Sequence, residues 1–207
     1  MWHGMWPDTA IYWPWTIWAI TWVAAALWAN RTLKRPGIGR EWLYRVIALA
    51  GFFFLLGGIL REQDGHLRFG PWPGFLGKAI WFPPIPMAWT LVGVTFVGFL
   101  FAWWARIHLG RLWSGSITRK EGHRVVDSGP YAIVRHPIYT GILLSGVASA
   151  IVMATPHAYI GAALLIVGYW MKARLEERWL REELGPQDYD AYRRRVPMLV
   201  PFGPKAA

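Results

Sequence analysis

Charged side chains vanish from this sequence for long intervals and return in clusters, and several of the intervals are of membrane-crossing length. Thr9 to Asn30 carries no formal charge, enough for one helical crossing of a hydrocarbon core about 30 Å thick. It has neither a basic leader nor an A-x-A exit, which predicts a retained helix and not a removed signal peptide. Val46 to Leu60 is uncharged for 15 residues, and Trp42, Leu43, Tyr44 and a snorkelling Arg45 extend it into a second crossing. From Arg61 to Pro86, punctuation such as Gly70-Pro71-Trp72-Pro73-Gly74 and Pro83-Pro84-Ile85-Pro86 forbids a continuous helix, and its aromatics place this loop at the membrane interface. A third span runs from Met87 to about Ala105. The 35 residues from Pro137 to Met171 are again uncharged, and Thr155-Pro156-His157 divides them, which predicts a helical hairpin.

The expected fold is therefore all-α: a polytopic membrane protein of about five transmembrane helices, with a C-terminal helical hairpin and cytoplasmic loops. Residues 1–108 would hold spans one to three, and residues 109–207 a polar loop, the hairpin and a polar tail. Composition agrees, with 55% apolar and 16% charged residues in 207, a balance foreign to soluble domains. The 16 tryptophans strengthen the picture, because indoles favour the headgroup level. Trp13, Trp15, Trp103, Trp104, Trp113, Trp170 and Trp179 flank spans, whereas Trp18 and Trp22 read as mid-span core.

Net charge is +10 and cysteine is absent, so disulfides and a catalytic thiol are excluded. The basic residues sit beside spans, which argues for orientation and anionic lipid and against nucleic acid. Five Lys and Arg lie between Arg31 and Arg45, six between Arg106 and Arg135, and eight from Lys172 onward, against Arg61, Arg68 and Lys78 on the other side. With five spans this parity puts the N-terminus outside and the C-terminus in the cytoplasm, with the long segments from Leu109 to His136 and from Lys172 to Ala207 sharing that face.

Candidate chemistry gathers in the two polar segments of that face. Proline disfavours helix at His136 and suits the first helical position, so His136 stands at the mouth of a helix. N–H groups there form a site for a carboxylate or phosphate. Pro137 to Thr155 spans 18 residues and His157 to Glu176 spans 19; at about 1.5 Å per residue the arms match at roughly 27 to 29 Å. Glu176 should return to the level of His136. A zwitterionic amino-acid moiety fits such a place, with its carboxylate at the helix end and its ammonium near Glu176.

His123-Arg124-Val125-Val126, Ser128-Gly129-Pro130-Tyr131, Arg135-His136-Pro137-Ile138-Tyr139 with Gly141, Glu176-Glu177, and the tail from Leu184-Gly185 through Tyr189, Tyr192, Arg195-Val196-Pro197 to Pro201 resemble the isoprenylcysteine carboxyl methyltransferase and phospholipid methyltransferase superfamily. The resemblance covers about Gly110 to Pro201. It implies a S-adenosyl-L-methionine cofactor and a lipophilic acceptor arriving from the bilayer. His123, Arg124, Val125, Val126 and Tyr131 resemble the part that holds the nucleoside. Arg135, His136, Pro137, Ile138 and Tyr139 look like the loop around the methionine moiety, and Glu176 with Glu177 completes the pocket. The family's acceptor-facing arginine precedes that glutamate; here Lys172 stands four positions before Glu176 and Arg174 two. No G-x-G-x-x-G follows a strand, which excludes a Rossmann-type site.

Transfer from a sulfonium is an in-line displacement needing alignment and dryness more than a strong base. A carboxylate or thiolate acceptor suits this. An aminophospholipid would need its ammonium deprotonated by His136 or Glu177. A catalytically silent membrane module is the opposing possibility, in which His136 caps a helix and Glu176-Glu177 pairs with Lys172, Arg178 and Arg181 on a solvated face. His66, His108 and His157 read as structural, with no metal site. Arg193-Arg194-Arg195 reads as an orientation signal or lipid-phosphate patch. Tyr189, Tyr192 and Val196 mark a short amphipathic helix lying back on the membrane over the cofactor.

Overall fold

Each of the three C-terminal helices begins on a proline, whose missing N–H costs nothing at a first helical position: α6 at Pro137–Met153, α7 at Pro156–Leu184 and α8 at Pro186–Arg195. The computed structural model describes residues 7–26, 32–34, 38–57, 59–63, 66–70, 72–110, 113, 119–120 and 125–205. Before α6 come α1 (Pro7–Ala10), α2 (Tyr12–Ala26), α3 (Ile38–Leu56), α4 (Gly74–Gly77) and α5 (Ile85–Leu109), then a 3-10 turn at Gly129–Ala132. Among the described residues two antiparallel ribbons accompany the helices: β1 (Thr32–Lys34) with β4 (Arg119–Lys120), and β2 (Ile59–Gln63) with β3 (His66–Gly70).

The helices pack in pairs, α5 along α6 and α3 along α7, and α6 folds back onto α7 through Ala154 in a left-handed conformation. Small residues set the spacing. A Cβ on Gly141 would sit 2.3 Å from the Gly98 carbonyl oxygen, and one on Gly161 would sit 2.4 Å from the Leu55 nitrogen. Backbone cannot yield as a flexible side chain does. Gly141→Ala should therefore cost about 1–3 kcal/mol by overpacking, read as a fall in the thermal unfolding midpoint in detergent. Gly93→Ala, with nothing within 4 Å of the new carbon, is the matched variant expected to leave that midpoint in place.

Aromatic rings fill the core between these pairs. Trp15 donates to Ser149 Oγ at 2.9 Å and meets Phe52 and Phe99 edge-on. Arg106, only 1% exposed, donates at 2.8 Å to Ala25 O and to Gly110 O and lies 4.2 Å over the Trp113 ring. That one side chain ties the end of α2 to the end of α5. The loop before α5 lies on the hairpin tip, where Trp72 stacks on Phe54 and His157 and Trp81 donates to the Tyr159 hydroxyl at 2.9 Å.

Several expectations change. The second apolar run leaves the helix at Leu56, and Ile59 and Leu60 open β2 instead. Helix α5 outruns its expected span at both ends. Among the described residues one helix, Ile85–Leu109, is long and apolar enough to cross a membrane, and Pro137–Met153 is a shorter apolar helix. Trp13, Trp104 and Trp170 face outward as expected, but Trp15, Trp113 and Trp179 are core residues. Rings of this size bury more apolar area inside than at a surface. His157 is structural, with Nδ1 2.7 Å from Phe54 O.

Candidate active site

The segment from Val125 to His136 enters the site through a bend that glycine makes possible. Gly129 has φ +57, and a Cβ there would meet the His108 ring at 2.8 Å; His108 in turn pairs with Ser128 Oγ at 2.9 Å. Tyr131 is buried beneath, and the Tyr192 hydroxyl donates to its carbonyl at 2.7 Å. Burial, and then the charge of Glu176, pushes the Tyr131 phenol up, so it stays neutral.

The chain then passes under a clasp made by residues 197–199. Arg135 N–H donates to Pro197 O at 2.9 Å, His136 N–H to Met198 O at 3.1 Å, and Thr140 Oγ1 to Leu199 O at 2.6 Å. The Arg135 side chain completes the clasp, donating to Glu177 Oε1 at 2.6 Å, to Arg193 O at 3.0 Å and to Val196 O. Both members of the Arg135–Glu177 pair are buried, with side chains 4% and 5% exposed. Burial alone would raise the Glu177 carboxyl, but His136 and Arg135 beside it win and hold it at about 2.

Glu176 is the other half of the junction. The Tyr139 hydroxyl donates to Glu176 Oε2 at 2.6 Å, and the Tyr139 ring stacks on His136 with centroids 5.2 Å apart. His136 lies between the carboxylates, Nδ1 3.7 Å from Glu176 Oε2 and Nε2 3.3 Å from Glu177 Oε1. The first intrahelical bond of α6 runs from Thr140 N–H to His136 O, so the N–H groups of Ile138 and Tyr139 precede the ladder and have no acceptor within the helix. Lys172 Nζ lies 4.9 Å from the Tyr139 ring centre.

Of the residues singled out in the sequence, Tyr139, His136, Glu176, Glu177, Arg135 and Lys172 come together. Pro137 starts α6, and the Ile138 side chain turns into the apolar core and away from this cluster. Val125 packs on Tyr189, Tyr192 and Val196, and Val126 on the main core. His123 and Arg124 lie outside the described residues. Arg174 is exposed and stacks on Trp170 at 5.6 Å, away from Tyr139.

Two expectations are corrected here. The apolar face of α8 packs on Val125 and Leu180 and so serves the protein interior, because three half-aromatic positions gain more from a preformed core than from an interface. The triple-arginine run divides: Arg193 turns in to Glu177 at 3.4 Å and Asp190 at 3.2 Å, while Arg195 pairs with Asp127 at 3.0 Å. Thr140, the part Arg193 plays in the clasp and the carbonyls of residues 197–199 escaped the sequence reading. The dipeptide Val196-Pro197 was their available signal, since proline ends a helix and presents its neighbours' carbonyls.

The sequence profile of the isoprenylcysteine carboxyl methyltransferase (ICMT) family matches residues 91–182, starting inside α5. Protein-S-isoprenylcysteine O-methyltransferase B of Arabidopsis thaliana is 30% identical over 135 residues, 62% of this chain and 68% of that protein. Methanethiol S-methyltransferase 2 of Bradyrhizobium diazoefficiens is 38% identical over 128 residues, 55% of this chain and 46% of that protein. Cobalt-zinc-cadmium resistance protein CzcN of Cupriavidus metallidurans is 28% identical over 174 residues, 82% of this chain and 65% of that protein. By profile and by relatives, this chain belongs to the isoprenylcysteine carboxyl methyltransferase family and is a methyltransferase.

Proposed function

We propose that the chain transfers a methyl group from S-adenosylmethionine to the carboxylate of an isoprenylcysteine-type acceptor at a membrane. The observation that carries this is the junction of α6 and α7, where Tyr139, His136 and Glu176 meet beside the first N–H groups of α6. When bound, S-adenosylmethionine supplies an electrophilic methyl carbon on a sulfonium. The helix N-terminus suits its carboxylate, Glu176 its ammonium, and Val125, Val126 and Tyr131, with His123 and Arg124, its nucleoside. Lys172, over the Tyr139 ring, draws the acceptor carboxylate into line by a charge-assisted contact. Glu177 and Arg135 hold the two helices in register and do not touch the reacting atoms.

A five-span arrangement, with residues 1–108 anchoring and residues 109–207 catalytic, completes the proposal. It is supported by apolar side chains turned outward on successive helices: Ile20 and Val23 on α2, Leu49 on α3, Leu100 on α5 and Leu144 on α6 are all exposed. Water penalises such a surface and lipid does not. In the proposed topology the N-terminus is outside, the site faces the cytoplasm, and acceptor and cofactor arrive from different phases.

Calorimetry of S-adenosylmethionine on the detergent-purified protein tests the cofactor assignment. Micromolar binding by wild type, lost in His136→Ala and Glu176→Gln, is the expected result; folded wild type that does not bind overturns it. Small-thiol S-methylation is the second reading, favoured by the 38% identity to a methanethiol S-methyltransferase. Supplying methanethiol beside a farnesylated cysteine separates the two.

A further inference from the structure

Three tyrosine rings from three helices face the ammonium of Lys172: Tyr139 on α6 with its ring centre 4.9 Å from Nζ, Tyr44 on α3 at 5.9 Å and Tyr169 on α7 at 6.0 Å. Each lies within the reach of a cation over an aromatic face, about 6 Å. A single contact of this kind is ordinary packing; three on one lysine, from separate helices, make a cage.

The cage is braced. The Tyr139 hydroxyl donates to Glu176 Oε2 at 2.6 Å. Tyr169 leans on Tyr139 with centroids 5.1 Å apart and meets Phe52 of α3 edge-on at 6.5 Å. Tyr44, 5% exposed, is packed among Trp179, Leu175 and Met171. Its hydroxyl is buried and completes no hydrogen bond, so what Tyr44 offers Lys172 is the face of its ring. Lysine carries a point charge on a flexible stem and has no planar fork to lock it against a carboxylate. Ring faces attract that charge and fix its place while taking up none of its N–H donors.

We propose that Tyr44 and Tyr169 are positioning residues of the methyl-transfer site: with Tyr139 they form an aromatic cage that fixes the Lys172 ammonium where it meets the acceptor carboxylate. The inference rests on the role given to Lys172 above and goes beyond it. Tyr44 belongs to the anchoring half of the chain, outside the residues 91–182 that match the family profile. Helix α3 then supplies a wall of the site as well as an anchor.

A double-mutant cycle on the purified full chain tests this, with S-farnesylcysteine as acceptor and S-adenosylmethionine binding measured on every variant. Tyr44→Leu should lower kcat/KM about ten-fold, the scale of one enclosed cation–π contact, with S-adenosylmethionine affinity within about two-fold. Tyr44→Phe should stay within about two-fold of wild type, since it keeps the ring face and loses only a hydroxyl that bonds to nothing. In a Lys172→Met background, Tyr44→Leu should lower kcat/KM no further, because the cage then holds no charge. Tyr169→Leu should repeat this pattern, and it is the deciding variant if Tyr44→Leu does not fold. A loss that persists undiminished in the Lys172→Met background makes the rings plain packing and overturns the cage. So does full activity of Tyr44→Leu and Tyr169→Leu beside an impaired Lys172→Met, which leaves the role of Lys172 standing. Lys172→Met with wild-type activity, or wild type that does not methylate farnesylcysteine, removes the reading beneath the cage and the cage with it.

Discussion

Glu177→Leu should destabilise the folded protein by about 3–5 kcal/mol, because it leaves the Arg135 guanidinium, 6% exposed, without its counter-charge. Thermal unfolding in detergent at pH 7 reads the loss. A double variant, Arg135→Met with Glu177→Leu, removes both charges and should recover much of it, because the desolvation cost then disappears with the attraction. Failure to recover would assign the cost to the bonds that Arg135 makes with Arg193 O and Val196 O. The pair also sets an acid limit. The Glu177 carboxyl titrates at about 2 in the folded chain against an ordinary 4.5, so its contribution is complete above the ordinary value and is lost as pH falls from there towards 2. Wild type should lose stability across that window, and Glu177→Leu should lose less.

Lys172→Met should lower kcat/KM by about 100-fold, the scale of a lost hydrogen bond between charged groups, with S-adenosylmethionine affinity nearly kept. Arg174→Met should change it by no more than about two-fold, because Arg174 is exposed and lies on Trp170. The sequence leaves these two residues equivalent, one four positions and one two positions before Glu176. Helix geometry separates them: two residues span about 200° of turn, so Lys172 and Arg174 look in nearly opposite directions from α7. A hundred-fold loss in Arg174→Met with Lys172→Met active would reverse the assignment.

What could be read from sequence was whatever helix rise alone determines. Arms of nearly equal length brought Glu176 back beside His136, and the hydroxyl of Tyr139 now lies 2.6 Å from Glu176. What could not be read was the choice of partner. Glu177 had Arg181 at helical spacing, yet it pairs with Arg135, 42 positions away, and Arg181 goes to Asp190 at 2.8 Å. An exposed neighbour is worth a few tenths of a kcal/mol, whereas a buried carboxylate must be matched wherever a cation arrives. The ribbon β2–β3 was missed for a different reason: apolar residues at Ile59 and Leu60 continue the preceding run, and only the dipeptide Asp64-Gly65 carries a hairpin signal. Tyr44 gave no signal as a site residue, because nothing local marks which cation on another helix a ring will face.

The clasp has a consequence for the order of assembly. Arg135 and His136 stand at the start of α6, but the carbonyls that hold their N–H groups belong to residues 197 and 198. Helices α6 and α7 can form and pair while the chain is still being made; the loop at their mouth cannot lock until the whole of α8 has followed. Closing so long a loop is slow compared with forming a helix. The place where methyl transfer would occur is thus among the last parts of the molecule to lock, and a chain halted before residue 197 would carry every side chain of the junction yet lack the carbonyls that accept from the Arg135 and His136 N–H groups.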